Sequence, residues 1–372
     1  MVFFFFVWQG ILLEMMKSDT HKHIAKTPEY LLKWYDKNKR MLPWRPHDGS
    51  NPEPYKVWLS EIMLQQTQVA TVIPYFLRFT SRWPTVMKLA NADVNDIMTE
   101  WAGLGYYARA RNLHRCAKIV AAALNSNFPD NEKELIQLPG IGAYTAAAIT
   151  AIAFGKKATP MDGNFDRVTS RLNAIEVPLP ASKTILKRLA TMITPDIRPG
   201  DYAQAVMDLG ATICTPKQPK CNSCPISFSC LSFAAGKADM IPMKNPKSPK
   251  KTRFGVAFLC INNNQEVLLQ RRPNNGLLGG MMEIPGTEWR YSCLDPIQSN
   301  ELHPIKAVWK KIPGKVVHTF THFNLEIKVE RADVKKHNWE NDLIWHPIKT
   351  INKAGLPSLM LKIVKHGLQQ DF

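Results

Sequence analysis

The chain has 372 residues, of which 45% are hydrophobic, so it is long enough for two or three domains with their own cores. Its 48 Lys and Arg against 31 Asp and Glu leave a formal net charge of +17 at pH 7. This surplus favours a polyanionic partner such as nucleic acid over a merely soluble basic surface, because neutralised phosphates release counterions and add affinity.

The first residues, MVFFFFVWQGILLEMMK, contain an apolar stretch from Val2 to Leu13. The stretch is too short to span a bilayer, and it lacks the basic n-region and A-x-A-like site of a signal peptide. We therefore expect no membrane partner and a cytoplasmic, nucleoid-associated protein. Two interpretations of residues 1–22 stay open: a disordered extension, or a start-site artefact with Met15 or Met16 as the true start.

From Thr27 to about Gly210 the sequence is typical of helices separated by short Gly- and Pro-containing turns. Thr27 followed by Pro28 predicts a helix start, with Thr27 as the N-cap. The predicted helical segments are 55–79, 85–99, 107–125, 132–137, 143–154, 164–174, 182–193 and 201–210.

The pattern then changes. Residues 236–253 carry five lysines and three prolines with little periodicity, as expected of a linker. Beyond it, apolar runs at 256–261 and 266–271 flank three asparagines and predict a β-hairpin. Further strands are predicted at 315–320, 323–330 and 344–348, and a closing helix at 357–368.

These observations predict a mainly α N-terminal region followed by an α+β C-terminal domain of normal domain size. The expected boundaries are 1–22 for the extension, 23–235 for the helical domain, 236–252 for the linker and 253–372 for the C-terminal domain.

Four of the seven cysteines, Cys214, Cys221, Cys224 and Cys230, form a C-x6-C-x2-C-x5-C cluster. Thiolates this close in sequence can enclose one zinc ion or an iron–sulfur cluster, and the spacing favours the iron–sulfur cluster modestly. The loop between the first two cysteines contains Lys217 and Lys220. Two interpretations of these lysines stay open, a solvated loop and contact with phosphate.

The segment Leu138-Pro139-Gly140-Ile141-Gly142 lies between two predicted helices. Glycines at Gly140 and Gly142 let backbone N–H groups approach an anion, and the following helix N-terminus favours negative charge. An ordinary helix–helix turn would also use glycine, so the segment alone is a moderate signal. About twenty residues later comes Asp162, which by itself would be interpreted as a helix N-cap.

Taken together, these residues resemble the helix–hairpin–helix DNA glycosylase superfamily, and within it the adenine DNA glycosylases of the MutY family. The resemblance extends from about Thr27 to the C-terminus, and its most specific segments are Leu42–Arg45, Trp58–Val69 and Gly103–Arg109. It implies a [4Fe–4S] cluster on the four cysteines. It also implies a monomeric DNA glycosylase of base excision repair that hydrolyses adenine from duplex DNA opposite 8-oxoguanine or guanine.

The reaction needs an acid facing the base and a negative charge facing the sugar, since adenine leaves poorly until protonated and the sugar becomes cationic. Glu61 shares a predicted helix face with apolar residues, so desolvation should raise its pKa. The resemblance assigns Glu61 as the general acid and Asp162 as the electrostatic or covalent partner of the sugar. It places Tyr144 and Asn164 as supporting residues.

The resemblance also assigns Arg45, Trp44 and Gln66 to the adenine pocket and the space left by the flipped base, and Tyr106 to a segment that enters the DNA. Each of these residues has an alternative role in core packing, strongest for Trp44. In the endonuclease III branch the residue at Tyr144 is a lysine that attacks C1′. Tyrosine there predicts a monofunctional glycosylase with little lyase activity.

The C-terminal domain resembles a Nudix-like module but contains no Nudix box, and Glu283 alone cannot form a pyrophosphatase site. The resemblance therefore implies binding rather than hydrolysis. It assigns Phe320, Thr321 and His322 to 8-oxoguanine recognition, where relatives usually have Phe-Ser-His. A plain strand with inward-facing aromatic residues is the alternative.

Three other functions remain to be compared with this hypothesis. An endonuclease III-like glycosylase and lyase would share the cluster and hairpin but lack the C-terminal domain. A non-catalytic lesion-binding protein would not need both Glu61 and Asp162. A nucleotide-pool Nudix hydrolase would need the missing box.

Overall fold

The computed structural model describes residues 24–46, 50–245, 249–273, 276–292, 301–335 and 343–368. Its contacts separate the chain into two units, one of residues up to 92 with 112–246, the other of 93–111 with residues from 247 onward. The predicted extension at 1–22 lies outside the described residues. Within the described ranges, no helix is both long enough and apolar enough to cross a membrane.

The region before residue 246 is helical, as predicted. Its helices are α1 Thr27–Asn38, α2 Pro54–Leu64, α3 Val69–Arg82, α4 Val86–Ala90, α5 Val94–Glu100, α6 Ala108–Ala123, α7 Glu132–Leu135, α8 Ala143–Ile152, α9 Gly163–Leu172, α10 Lys183–Ile193, α11 Pro199–Thr212 and α12 Leu231–Ala234.

The prediction of one helix over 55–79 is wrong, because the chain leaves α2 at Gln65 and enters α3 at Val69. Gln66 between them has a φ of +56°, a left-handed conformation that residues other than glycine rarely adopt. The apolar pattern continues across this break, so a prediction from periodicity alone treats the two helices as one.

Side-chain hydrogen bonds explain two further differences. The predicted helix at 85–99 is two helices, since Asp93 accepts a hydrogen bond from the Asn95 N–H and starts α5. Thr27 is not the N-cap of α1, which is Lys26; the Thr27 hydroxyl instead lies 3.2 Å from that of Ser229.

The core of the first unit is formed mainly by α1, α8, α9 and α11. Helix α11 lies directly against α8, because a Cβ at Gly200 would come within 2.4 Å of the Ala151 carbonyl oxygen. This close approach brings the side chains of α11 beside the start of α8. Buried members of the core include Leu31, Tyr35, Ala147, Phe165, Leu172, Tyr202, Val206 and Leu209.

The C-terminal part of the second unit contains a sheet with the order β3-β2-β1-β5-β4, and β6 pairs with β2. The predicted hairpin of β1 and β2 is present, and β1 runs parallel to β5. The elements are β1 Lys251–Asn262, β2 Glu266–Arg271, β3 Met282–Glu283, β4 Lys310–Thr319, β5 Phe323–Val334, β6 Leu343–Pro347 and α13 Ser358–Leu368.

Helix α13 covers one face of this sheet. Leu259 of β1 faces it, and a Cβ at Gly367 would lie 2.2 Å from the Leu259 side chain, so glycine permits the contact. Cys260, the next residue, belongs to a smaller cluster with Leu268 and Ile305. Successive side chains of β1 therefore point to opposite faces of the sheet, and both faces are buried.

Candidate active site

Glu61 lies on α2 with 5% of its surface exposed, and its Oε2 atom is buried without a hydrogen-bond partner among the described residues. Burial raises the pKa of this carboxyl to about 7. A hydrogen bond from the Tyr144 hydroxyl lowers the pKa in part, while the charge of Asp162 raises it further. Glu61 can therefore hold a proton near neutral pH and has a free oxygen from which to donate it.

Asp162 is the N-cap of α9, so the structural interpretation of this residue is correct. Its Oδ1 accepts hydrogen bonds from the N–H groups of Asn164 at 2.9 Å and Phe165 at 2.8 Å. Its Oδ2 accepts one from the Asn164 side-chain amide at 2.8 Å. Burial raises the pKa of Asp162, and these hydrogen bonds partly offset the effect. The carboxylate is thus held in one orientation at a helix N-terminus.

Arg167 fixes the supporting amide. Its Nη2 donates to Asn164 Oδ1 at 2.8 Å and to the Gly210 carbonyl at 2.7 Å. Because the oxygen of Asn164 is engaged in this way, its Nδ2 must face Asp162. The Nε of Arg167 donates to the Cys214 carbonyl at 2.7 Å, so one side chain connects the cysteine loop to the carboxylate's support.

Tyr144 stands on the first turn of α8, with its hydroxyl 4.0 Å from the Met207 sulfur. Burial raises its pKa well above the usual value, and the charges of Glu61 and Asp162 raise it further. The hydroxyl therefore stays protonated and acts as a hydrogen-bond donor to Glu61. Sequence reasoning assigned Tyr144 a supporting role without identifying this partner.

A cavity of about 40 Å³ adjoins Glu61. Among the residues that the sequence assigns to the site, Glu61, Trp44 and Arg45 line this cavity, whereas Gln66 and Tyr106 do not. A volume of that size holds a few waters, at roughly 10–15 Å³ each, rather than a purine ring. The lining residues are Arg40, Leu42, Trp44, Arg45, Val57, Ser60, Glu61, Leu64, Val69, Ile152, Gln204 and Met207.

Gln66 and Tyr106 are instead exposed at strained turns. Gln66 stands at the break between α2 and α3, and Tyr106 is 55% exposed with a φ of +47°. The Gly105 carbonyl beside Tyr106 accepts hydrogen bonds from the Trp101 indole at 3.0 Å and from Arg109 at 3.2 Å. These bonds hold the turn that presents the tyrosine.

Sequence reasoning missed Asp208, which is fully buried on α11. Arg45 Nη1 lies 2.7 Å from Asp208 Oδ2, and Arg40 Nε lies 2.6 Å from Oδ1. Burial alone would raise the pKa of Asp208, but the hydrogen bonds and charges of both arginines outweigh it and lower the pKa. Asp208 therefore anchors the segment that carries Trp44 and Arg45 beside the cavity.

The predicted hairpin joins α7 to α8. Gly140 has a φ of +80°, and a Cβ there would also lie 3.0 Å from the Asn112 side chain, so the position requires glycine. Gly142 is the N-cap of α8, with open space where a Cβ would stand. The Gln65 side chain donates to Thr145 at 3.2 Å, linking the end of α2 to α8. The hairpin therefore leads into the N-terminus of α8, which has no side-chain capping hydrogen bond.

The four cysteines converge beside α9. Cys221, Cys224 and Cys230 each interact electrostatically with Cys214, and Arg171 Nη1 donates to the Cys214 sulfur at 3.3 Å. In the described ranges no group of three or more His, Cys, Asp or Glu has the arrangement that would hold a single metal ion. Four thiols on one loop are nevertheless a donor set that iron–sulfur clusters use. Lys217 and Lys220 are exposed on this loop.

In the second unit, Thr321 and His322 are exposed at the tip of the turn between β4 and β5. The turn is closed by a 2.9 Å hydrogen bond from the Phe320 N–H to the Phe323 carbonyl. Phe320 packs against Trp289 and Phe323, with ring centroids 5.6 and 4.9 Å away. The Phe320 ring therefore anchors the turn, and Thr321 and His322 are exposed to solvent.

Glu283 is almost completely buried in this unit. It forms an ion pair with Arg272 and accepts a 2.9 Å hydrogen bond from the Gln270 side chain. An acid engaged in this way supports the structure of the loop.

Comparisons with known proteins agree with this geometry. A sequence profile described as the HhH-GPD superfamily of base excision DNA repair proteins matches residues 59–194, and one described as a NUDIX domain matches 256–366. The human adenine DNA glycosylase is 36% identical over 385 residues, covering 86% of this chain and 70% of the relative. The adenine DNA glycosylase of Buchnera aphidicola subsp. Baizongia pistaciae is 34% identical over 340 residues, covering 90% and 94%. The chain belongs to the adenine DNA glycosylase family.

As a member of this family it is a DNA N-glycosylase of base excision repair, and the predicted family and fold class are confirmed. Among solved structures, a thermostable thymine-DNA glycosylase matches with a TM-score of 0.53 at 28% identity, covering 59% of this chain and 100% of that one. The glycosylase fold thus accounts for the helical part of the chain, and the NUDIX match covers residues 256–366.

Replacing Tyr144 by phenylalanine should move the high-pH limb of glycosylase activity to higher pH. If Glu61 supplies the proton, as the sequence predicts, the rate should fall as pH rises through its pKa of about 7. The hydrogen bond from Tyr144 lowers that pKa, and its removal should raise it. Single-turnover rates between pH 5 and about 9 measure the limb, as is usual for a general acid. Tyr55→Phe, which removes a buried hydroxyl that donates to the Trp83 carbonyl, is the matched control. A limb that moved to lower pH in Tyr144→Phe would contradict the assignment.

Proposed function

We propose that this glycosylase hydrolyses the N-glycosidic bond of adenine opposite 8-oxoguanine or guanine in duplex DNA. The observation that carries the proposal is the buried Glu61 carboxyl, whose Oε2 lacks a partner in the described chain and which lines a cavity together with Trp44 and Arg45. An unpaired, protonated acid in a pocket with an aromatic wall suits a flipped purine that must be protonated to leave.

The chemistry then follows from the two carboxyl groups. Glu61 donates its proton to the adenine ring, which makes the base a neutral leaving group. Asp162, oriented by three hydrogen bonds at the start of α9, faces the positive charge that develops on the sugar. Water completes the hydrolysis and leaves an abasic site. The cavity must widen to admit the base, and the cavity-lining Trp44 and Leu64 are the side chains we propose to move.

The proposal includes a monofunctional reaction. A lyase would need an amine to attack C1′, and at the first turn of α8 the chain has Tyr144. Efficient strand cleavage at the abasic product, with borohydride trapping of an essential lysine, would contradict this part.

We also propose that Cys214, Cys221, Cys224 and Cys230 hold a [4Fe–4S] cluster, the chemistry of which is not required for hydrolysis. Support comes from the four thiols on one loop and from Arg171, which donates to the Cys214 sulfur. The cluster would fix the exposed loop that carries Lys217 and Lys220, so that both lysines can contact DNA phosphates. Iron and acid-labile sulfide analysis of the purified protein tests the assignment.

One assay compares the proposal with its alternatives. The protein is incubated with duplexes that contain adenine opposite 8-oxoguanine, adenine opposite guanine, or thymine glycol, each with and without alkali. We expect cleavage only after alkali, fastest for adenine opposite 8-oxoguanine and absent for thymine glycol. Release of thymine glycol, or strand cleavage without alkali, would favour the endonuclease III-like alternative.

Preference for 8-oxoguanine is proposed to depend on Thr321 and His322, which the β4–β5 turn exposes. Replacing both by alanine should lower the rate ratio between adenine opposite 8-oxoguanine and adenine opposite guanine by roughly tenfold, since lost base contacts cost about 1–3 kcal/mol. Single-turnover rates on both duplexes measure the ratio. Thr350→Ala, at an exposed threonine of the same unit, is the control. An unchanged rate ratio in the double variant would mean that the β4–β5 turn does not recognise 8-oxoguanine.

A further inference from the structure

The first residues of β1 lie next to the β4–β5 turn. Strands β1 and β5 are parallel, and Lys251 at the start of β1 is directly opposite Phe323 at the start of β5. The Lys250 ammonium group reaches the turn itself, donating to the Phe320 carbonyl at 2.7 Å. The sheet therefore concentrates positive charge beside Thr321 and His322.

Arg253 is held between two aromatic rings at this edge. Its guanidinium carbon lies 4.4 Å from the Phe323 ring centroid and 4.8 Å from that of Tyr291. Its Nη2 donates to the Tyr291 hydroxyl at 3.2 Å, while its Nε is buried without a hydrogen-bond partner among the described residues. In those residues no carboxylate forms an ion pair with Arg253. The guanidinium is oriented by the rings, and its charge remains available to a ligand.

Tyr291 extends this surface into solvent. It is 57% exposed, and Lys251 Nζ lies 5.9 Å from its ring centroid. A tyrosine so exposed contributes nothing to a core, so its contacts with two cations order the surface rather than the fold. We name Lys250, Lys251, Arg253 and Tyr291 the basic–aromatic patch.

We propose that the basic–aromatic patch binds the DNA phosphate backbone next to the nucleotide that Thr321 and His322 read. The inference rests on the proposed function, because the DNA strand that the patch would contact is the one that contains 8-oxoguanine. Phosphate contacts set the register of a protein on DNA, whereas base contacts read the sequence. A guanidinium stacked on two rings loses little side-chain freedom on binding, and its fork matches phosphate oxygens. Arginine and tyrosine also occur at protein interfaces. Three cations with no acidic partner among the described residues, beside the turn proposed to read DNA, favour phosphate.

The test is the salt dependence of DNA binding, measured by fluorescence anisotropy with the full chain in a Glu61→Gln background to prevent turnover. Each phosphate contact adds about 0.9 to the slope of log K against log salt. Lys251→Gln and Arg253→Gln should therefore each lower the slope by about 0.9, equivalent to about eightfold weaker binding at 0.1 M salt. The loss should be the same for duplexes with 8-oxoguanine or guanine opposite adenine.

Lys310→Gln is the matched control. It removes the same charge from an exposed lysine at the first residue of β4, whose last residue adjoins the turn. At roughly 3.3 Å per residue this places it about 30 Å from the patch, and its slope should equal that of the parent protein. Because Lys251 is exposed on the surface, its variant should keep the melting temperature of the parent and remain informative even if Arg253→Gln is destabilised.

Two results would overturn the inference: unchanged slopes in Lys251→Gln and Arg253→Gln, or a loss restricted to the 8-oxoguanine duplex, which would mean base reading. Failure of the proposed function is seen separately, as absence of adenine release by the unsubstituted chain or as an unchanged ratio in the Thr321 and His322 double variant.

Discussion

Replacing Glu61 by glutamine is expected to slow adenine excision at least a hundredfold and, at the same time, to stabilise the protein at alkaline pH. A glutamine amide fills the same space but has no carboxyl proton to give to the base. General acid catalysis contributes roughly 10²–10⁴-fold, so single-turnover excision of adenine opposite 8-oxoguanine should fall by at least a hundredfold. Binding of the same duplex should be retained, because the cavity keeps its shape.

The gain in stability follows from the pKa of Glu61. Burial raises the folded-state pKa from 4.5 to about 7, so between these values the folded protein keeps a proton that the unfolded chain has released. The free energy of unfolding therefore decreases as pH rises through this window. At about 1.36 kcal/mol for each pKa unit the total loss is about 3 kcal/mol, and it is complete above pH 7 or so.

Urea unfolding at about pH 5 and pH 8 tests this second effect. Glu61→Gln should be the more stable protein at the higher pH, and the difference should shrink at the lower one. Glu134→Gln, a change at an exposed carboxyl of the same unit, should alter neither activity nor this pH dependence. A Glu61→Gln protein less stable than its parent at the higher pH would mean that Glu61 is ionised and stabilised in the folded state.

Local features of this protein were predictable from its sequence. The glycines of the hairpin, the aspartate that starts α9 and the turn between β4 and β5 each depend on a few consecutive residues. Their conformations are set by glycine φ angles, capping hydrogen bonds and strand alternation, which operate over short distances. Gly140, Asp162 and Thr321 accordingly lie at the kinds of position that the sequence indicates.

Features that depend on distant residues were not predictable. Arg45 and Asp208 are 163 residues apart, and no local pattern pairs them. The Tyr144 hydroxyl reaches Glu61 only because α8 packs beside α2. The break at Gln66 interrupts a continuous apolar pattern, so periodicity gives no sign of it. Tertiary packing decides each of these, and for Arg45 and Tyr144 it also decides the electrostatics around Glu61.

Replacing Asp208 by alanine is expected to destabilise the protein by about 3–5 kcal/mol, since removal of one partner leaves buried cations without compensation. Arg45 has only 7% of its side chain exposed, and Asp208 receives hydrogen bonds from both Arg45 and Arg40. Asp201→Ala on the same helix is the matched control: its ion pair with Arg198 is exposed, and such pairs contribute about 0–1 kcal/mol. Denaturant unfolding at neutral pH measures both.

Replacing Asp208 by alanine should also shift the pH dependence of adenine excision, in the direction opposite to the shift expected for Tyr144→Phe. The charge of Arg45 lowers the pKa of Glu61, and Asp208 neutralises much of that charge in the parent protein. Without Asp208 the charge of the Arg45 guanidinium lowers the pKa of Glu61 more strongly. Glu61 then loses its proton at lower pH, and the high-pH limb of the single-turnover rate moves to lower pH. Asp208→Ala should therefore be inactive at a pH where Asp201→Ala still excises adenine. If the limb stayed in place while stability fell, Asp208 would support the fold of the segment carrying Trp44 and Arg45 without tuning the acid.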